Sequence, residues 1–147
     1  MPYNRVILSW HLNYAKLLPG LLLMFSALYD FVNGEMGIKY GVVDNFLYQL
    51  RLLESWFERQ RFFRFYQSSL VLFYDAIILH KFLIDTPKWT PFSDERNPAV
   101  PVKVLMVDFD NVFVDTEDKP DENCLSAIRS LISVFENMST FRAKSGT

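Results

Sequence analysis

Apolar positions along the chain change their period several times, and each change marks an element. "GLLLMFSALYDFVNG", residues 20–34, reads as a mostly apolar helix stopped at Asn33-Gly34, because Gly can take the left-handed conformation that ends helices. A short connection with Gly37 and Gly41 follows. From Asp44 to Gln60, Phe46, Leu50, Leu53 and Phe57 recur at steps of four, three and four. That spacing gives one apolar helical face, with Asp44 placed as a cap. Residues 63–84, "FRFYQSSLVLFYDAIILHKFLI", are dense in aromatic and β-branched side chains and predict a pair of strands with a turn near Asp75-Ala76. Four prolines between Asp85 and Pro101 mark a loop. "PVKVLMVDFDN" then reads as a buried strand, and an acidic loop leads into a helix over Glu122–Met138 with Leu125, Ile128, Ile132 and Phe135 on one face.

Strands that follow one another without intervening helices pair antiparallel. The expected fold is therefore α+β, an antiparallel sheet covered by helices. Residues 1–138 form a single domain and 139–147 a flexible tail. No internal repeat is present.

Composition sharpens this picture. A chain of 147 residues suffices for one domain with a real core, yet half of it is hydrophobic and 16% aromatic, including 14 Phe. Such a chain carries more apolar surface than it readily covers, which favours self-association or a protein partner through an exposed apolar patch. A formal charge of -2 gives no basic excess, so no nucleic-acid surface is indicated. The lone Cys124 excludes an internal disulfide and fits a reducing compartment. The first twenty residues lack the basic-then-apolar pattern of a secretory leader. Leu17–Val32 is interrupted by Pro19, Gly20 and Asp30, and reads as a buried helix with no membrane span.

The strand at 101–111 ends in two carboxylates, Asp108 and Asp110. Alternation puts both on the face of Val104 and Met106, so either that face opens into a site or the strand has already ended. One reading is a solvated loop, since Asn111, Asp115, Thr116, Asp118, Lys119, Pro120 and Asp121 have loop composition. The other is that a carboxylate at the mouth of a rigid strand binds a hard divalent cation with a phosphate. His11 and His80 lack metal-ligand spacing to each other and read as packed. Arg59, Arg61 and Arg64 read as a solvated helix end meeting the macrodipole, in preference to a phosphate site. Trp10, Trp56 and Trp89 read as core or cover.

Three blocks in order resemble the C-terminal part of the inositol polyphosphate kinase family. They are Tyr66-Gln67-Ser68-Ser69-Leu70-Val71 with Tyr74-Asp75, then Val107-Asp108-Phe109-Asp110-Asn111, then Lys119-Pro120-Asp121 before Ile128, Leu131 and Ile132. They are similar to the family's Tyr-Ser-Ser-Ser-Leu-Leu strand, its Ile-Asp-Phe-Ala-His strand end, and its Gly-Pro-Asp stretch opening a helix. "ALYDFVNG" looks like the aromatic helix that ends in His-Asn-Gly, and the resemblance runs from Leu21 to Met138. It implies ATP- and Mg-dependent phosphoryl transfer to an inositol phosphate, in a cytoplasmic or nuclear protein. Asp108 would be the metal ligand in the ATP site, with Ser68 and Ser69 as supporting residues of the nucleotide site. Which residues act as catalytic groups is left unassigned.

The departures also count. Asp110 stands where the family has Ala, and Asn111 where it has His. The family's Pro-x-x-x-Asp-x-Lys-x-Gly string, which supplies substrate and catalytic groups, does not occur; Lys39-Tyr40-Gly41 has Gly37 in place of the Asp. The nucleotide-gripping N-terminal lobe has no counterpart, so activity of this chain alone is expected to be impaired. One alternative is a non-catalytic fragment or pseudokinase acting as an interaction module. Another is a haloacid dehalogenase-like phosphatase, whose first motif "VLMVDFDNVFVDT" resembles, with Asp108 as nucleophile, Asp110 as acid/base and Asp115 at the later acidic position.

Overall fold

The computed structural model describes residues 5–11, 18–34, 37–38, 40–75 and 102–145. In chain order the elements are β1 (Arg5–His11), α1 (Leu18–Val32), β2 (Asn33–Gly34), β3 (Gly37–Ile38), α2 (Tyr40–Arg59), β4 (Phe63–Tyr66), β5 (Ser69–Asp75), β6 (Val102–Val107), β7 (Asn111–Val114) and α3, which spans Glu122–Ser145. All pairings are antiparallel: β1-β5-β6 form one sheet, β2-β3 a minimal hairpin, and β4-β7 a ribbon. The α+β expectation holds.

The helical faces follow the apolar period. On α2, Phe46, Leu50 and Phe57 are fully buried, and on α3 Leu125, Ile128, Ile132 and Phe135 line the same core. An aromatic ladder crosses the layers. Tyr74 of β5 meets Phe31 of α1 edge-on at 5.1 Å, Phe31 stacks on Phe46 of α2 at 5.8 Å, and Phe46 stacks on Phe135 of α3 at 5.5 Å. Such contacts add about 0.5–1.5 kcal/mol each beyond area burial. The Tyr74 hydroxyl, whose pKa burial raises, donates to the Phe31 carbonyl at 2.6 Å.

Several boundaries differ from the sequence reading. Helix α2 begins at Tyr40, so Asp44 lies inside it and takes a 3.4 Å contact from the Ser139 hydroxyl of α3 where a cap was expected. Helix α3 continues to Ser145, across 139–145, where a tail was expected. The chain breaks between β4 and β5 at Gln67-Ser68, ahead of the turn expected at Asp75-Ala76, and β4 and β5 do not pair with each other. Both instead run against β6 and β7, so the chain kinks there without reversing. β1 was not expected, because its partner β5 is remote in sequence. The second half of the expected strand pair, the proline loop, His80 and Trp89 lie outside the described residues.

Side chains close two sheet edges. The Gln49 amide of α2 donates through Nε2 to the Val102 carbonyl at 2.9 Å and accepts through Oε1 from the Val104 N–H at 2.8 Å. It thus pairs with the edge of β6 as a neighbouring strand would. On β4, Gln60 does the same for Phe63, donating to its carbonyl at 2.9 Å and accepting from its N–H at 3.0 Å. Unpaired edges template unwanted pairing, and covering them prevents it.

Candidate functional site

The register places Asp108 in a bulge. Ser69 pairs with Val107 at the end of the β5-β6 ladder, and Tyr66 pairs with Asn111 at the start of β4-β7. Gln67 and Ser68 on one strand therefore oppose Asp108, Phe109 and Asp110 on the other, one residue in excess. A bulge of this kind bends the ribbon and re-aims the side chains around it. Both strands absorb the kink through left-handed backbone, at Gln67 (φ 62) and Asp108 (φ 65). Aspartate tolerates that conformation better than most residues; for Gln it costs on the order of 1–2 kcal/mol.

Polar bonds across the bulge offset the strain. The buried Ser68 hydroxyl donates to the Asp108 carbonyl at 2.9 Å, and the Asn111 amide donates to Gln67 Oε1 at 2.7 Å. The question posed by the two carboxylates has a structural answer: β6 ends at Val107, and the alternation that would have aligned Asp108 with Met106 stops there. Asp108 and Asp110 are both exposed, and the Asp108 carboxylate forms no ion pair among the described residues. Ser68 and Ser69 are fully buried beneath the bulge, Ser69 on the central strand β5.

The acidic loop is strapped to β4. Arg64 and Asp115 form a 2.6 Å ion pair, both side chains mostly covered, and Arg64 Nη1 also donates to the Lys119 carbonyl at 2.7 Å. Arg61 Nη1 donates to the Asp118 carbonyl at 2.9 Å. Only Arg59 meets the helix end as the sequence suggested, donating to the Ser55 carbonyl at 3.1 Å. Arg61 and Arg64 instead hold the loop that begins where β7 ends.

Asp121 joins that loop to the helix. One carboxylate oxygen accepts from the Cys124 N–H at 3.1 Å, an N-cap of α3, and the other accepts from the Phe65 N–H of β4 at 2.9 Å. The Cys124 thiol donates to the Phe65 carbonyl at 3.7 Å. Burial first, and the nearby Asp121 charge second, push the Cys124 thiol pKa far up. The edge of β4 is thus closed at Phe65 as well. The N-cap was legible in Asp121 before an apolar-periodic run; its grip on β4 carries no local signal.

A divalent cation fits this site only in one form. No group of three His, Cys, Asp or Glu among the described residues is arranged to hold a metal. One or two exposed carboxylates suit a cation that takes most of its ligands from phosphate oxygens and water, as Mg does. Neither the cleft between α1 and α3, of about 740 Å³, nor the one between α2 and β6, of about 320 Å³, is lined by Asp108.

Two solved structures share the fold. Inositol phosphate multikinase Ipk2 of S. cerevisiae, solved with ADP and Mn2+, superposes with a TM-score of 0.62 at 16% identity over 78% of this chain and 45% of that one. A second inositol phosphate multikinase gives 0.50 at 22% identity, over 78% of this chain and 47% of that one. The fold is that of this class of kinase. The sequence profile of inositol polyphosphate kinase matches residues 23–136, and the chain belongs to that family.

Among curated relatives, inositol hexakisphosphate kinase 1 of Rattus norvegicus is 29% identical over 138 aligned residues, and that of Mus musculus is 30% identical. Both alignments cover 77% of this chain and 32% of the relative, so the chain spans about a third of their length. The dehalogenase alternative falls away. The family whose profile the chain matches, over residues 23–136, is the inositol polyphosphate kinase family.

Proposed function

We propose that the chain carries the metal-binding half of an ATP site used for phosphoryl transfer to an inositol phosphate. The observation that supports the reading is the Asp108 carboxylate, exposed on a left-handed bulge residue whose carbonyl the buried Ser68 holds. Phosphoryl transfer asks for positioning and charge neutralisation more than covalent chemistry. A divalent cation held there would neutralise phosphate charge. Asp108 would hold it, Asp110 would add negative charge beside it, and Ser68 would fix the Asp108 peptide. Ser68 then acts on the nucleotide through Asp108.

The same reading makes turnover by this chain alone weak, since the sequence lacks the Pro-x-x-x-Asp-x-Lys-x-Gly string. A cytoplasmic or nuclear setting goes with it. Melting temperature with and without Mg-ATP tests the proposal, with Asp108→Asn alongside. Ligand at about a hundred times its dissociation constant stabilises by roughly 2.7 kcal/mol, a visible rise. The expected rise requires Mg and is absent from Asp108→Asn; no rise in the parent overturns the nucleotide site. Brisk phosphorylation of an inositol phosphate by the purified chain would overturn the impairment.

A further inference from the structure

The bulge is pinned at both ends, and only one of the pins touches Asp108. Asp108, Phe109 and Asp110 cross from the last rung of the β5-β6 ladder, Ser69 with Val107, to the first rung of β4-β7, Tyr66 with Asn111. At the near end the Ser68 hydroxyl donates to the Asp108 carbonyl at 2.9 Å. At the far end Asn111 Nδ2 donates to Gln67 Oε1 at 2.7 Å, one step past the β4-β7 ladder. Between the two pins the Phe109 ring meets the buried Phe65 edge-on at 6.2 Å. Asp110, the residue just before Asn111, is exposed and forms no ion pair among the described residues.

Gln67 is a strained choice for the bend. Its φ of 62 lies in the left-handed region, which Gly or Asn enters more readily, so a kink that needed backbone geometry alone would gain nothing from glutamine. What its side chain adds, among the described residues, is an acceptor for Asn111. An exposed bond between two amides contributes little to folding, but it ties the residue that follows Asp110 to the opposite strand. Groups around a metal are oriented by bonds one step removed from it, and loss of such a bond lowers affinity. We infer that Gln67 and Asn111 are a positioning pair that holds Asp110 as a second carboxylate for the cation that Asp108 binds. The inference rests on the phosphoryl-transfer reading and deepens it.

The test titrates Mn-ATP with the full chain and follows water-proton relaxation, which reads bound Mn directly, with urea unfolding of every variant alongside. The parent is expected to bind, and Gln67→Gly and Asn111→Ala should each weaken binding about tenfold. Both remove the same bond, so the double variant should bind no more weakly than either single one. Stability should follow another order: Gln67→Gly sheds the left-handed strain and Asn111→Ala keeps it, so Gln67→Gly should be the more stable in urea. Affinity that follows the amide pair while stability follows the strain marks positioning. In an Asp110→Asn background, Asn111→Ala should weaken binding little further. Either single variant binding as tightly as the parent, affinity losses ranked as the stability losses, losses that multiply in the double variant, or a tenfold effect that persists with Asp110→Asn would each overturn the inference. In those cases binding by the parent leaves the phosphoryl-transfer reading standing. A parent that binds no Mn-ATP overturns that reading, and the inference with it.

Discussion

The Ser68 hydroxyl donates to the carbonyl of Asp108 at 2.9 Å, across the point where two antiparallel strands lose register by one residue. That bond ties the buried strand to a carboxylate that faces water. The Asp108 peptide is fixed from below while the side chain stays available above. A left-handed aspartate held in this way stores backbone strain at the bulge, and Gln67 on the opposing strand shares it.

Asp108→Gly separates strain from function. Gly takes φ near 65 without steric cost but loses more chain entropy on folding, so the two effects oppose each other and stability should stay within about 1 kcal/mol of the parent. The Mg-ATP-dependent rise in melting temperature should nevertheless vanish. Urea unfolding gives the first quantity and thermal melts with nucleotide the second. A large loss of stability would show that the Asp108 side chain holds the bulge together.

Ser68→Ala removes the donor beneath Asp108. A buried hydrogen bond of this kind contributes about 0.5–1.5 kcal/mol, and the orphaned carbonyl can turn toward water beside the exposed Asp108. The expected loss is therefore near 1 kcal/mol by urea titration. Any nucleotide-dependent stabilisation should weaken with it, without disappearing, because the carboxylate remains.

How far the sequence reveals these features depends on how local their causes are. Phe46, Leu50 and Phe57 on α2, and Leu125, Ile128, Ile132 and Phe135 on α3, show their faces through a helical period that lies within one segment. β7 is hidden because Asn-Val-Phe-Val sits among acids and its pairing with β4 spans about fifty residues of chain. Asp108 is legible as a strand end and through its family resemblance. Its left-handed backbone, shared with Gln67, depends on a register mismatch between two strand pairs that no single segment records.

Gln49→Ala should open the edge of β6. The Gln49 Nε2 also donates to Asn45 at 2.5 Å, so the amide is satisfied on three sides. Loss of the two bonds to β6 should cost about 2 kcal/mol at this part-buried position. The specific sign is at one amide: hydrogen exchange at Val104 should speed up more than at Val102, whose carbonyl, not its N–H, is the group that Gln49 holds.

Acid stability should depend on Asp115. The Glu117 N–H, with the Arg64 guanidinium, holds its carboxyl below the ordinary value of 3.8, against a smaller raising effect of burial. A depressed folded pKa means stabilisation that is complete above the unfolded value and is lost as pH falls through the folded one. Asp115→Asn should therefore lower stability at neutral pH and flatten its decline between about pH 5 and pH 2. Circular dichroism across that range would show the parent and variant curves converging toward low pH; parallel curves would mean that the ion pair contributes nothing to folding.

Cys124 should report the opening of the junction between α3 and β4. It is buried, its thiol pKa is pushed far up by burial and by Asp121, and its hydrogen is directed at the Phe65 carbonyl. The thiolate is the reactive form, so the native thiol should resist alkylation at pH 8 and react at the rate of an ordinary thiol once urea unfolds the chain. Asp121→Asn keeps the shape but weakens both the cap on α3 and the bond to Phe65, two contacts that only this side chain makes together. Labelling of Cys124 should then quicken in native buffer by more than the global loss of stability predicts. Unchanged labelling would mean that the helix stays seated on β4 without the carboxylate, and that the Phe65 contact is incidental to the fold.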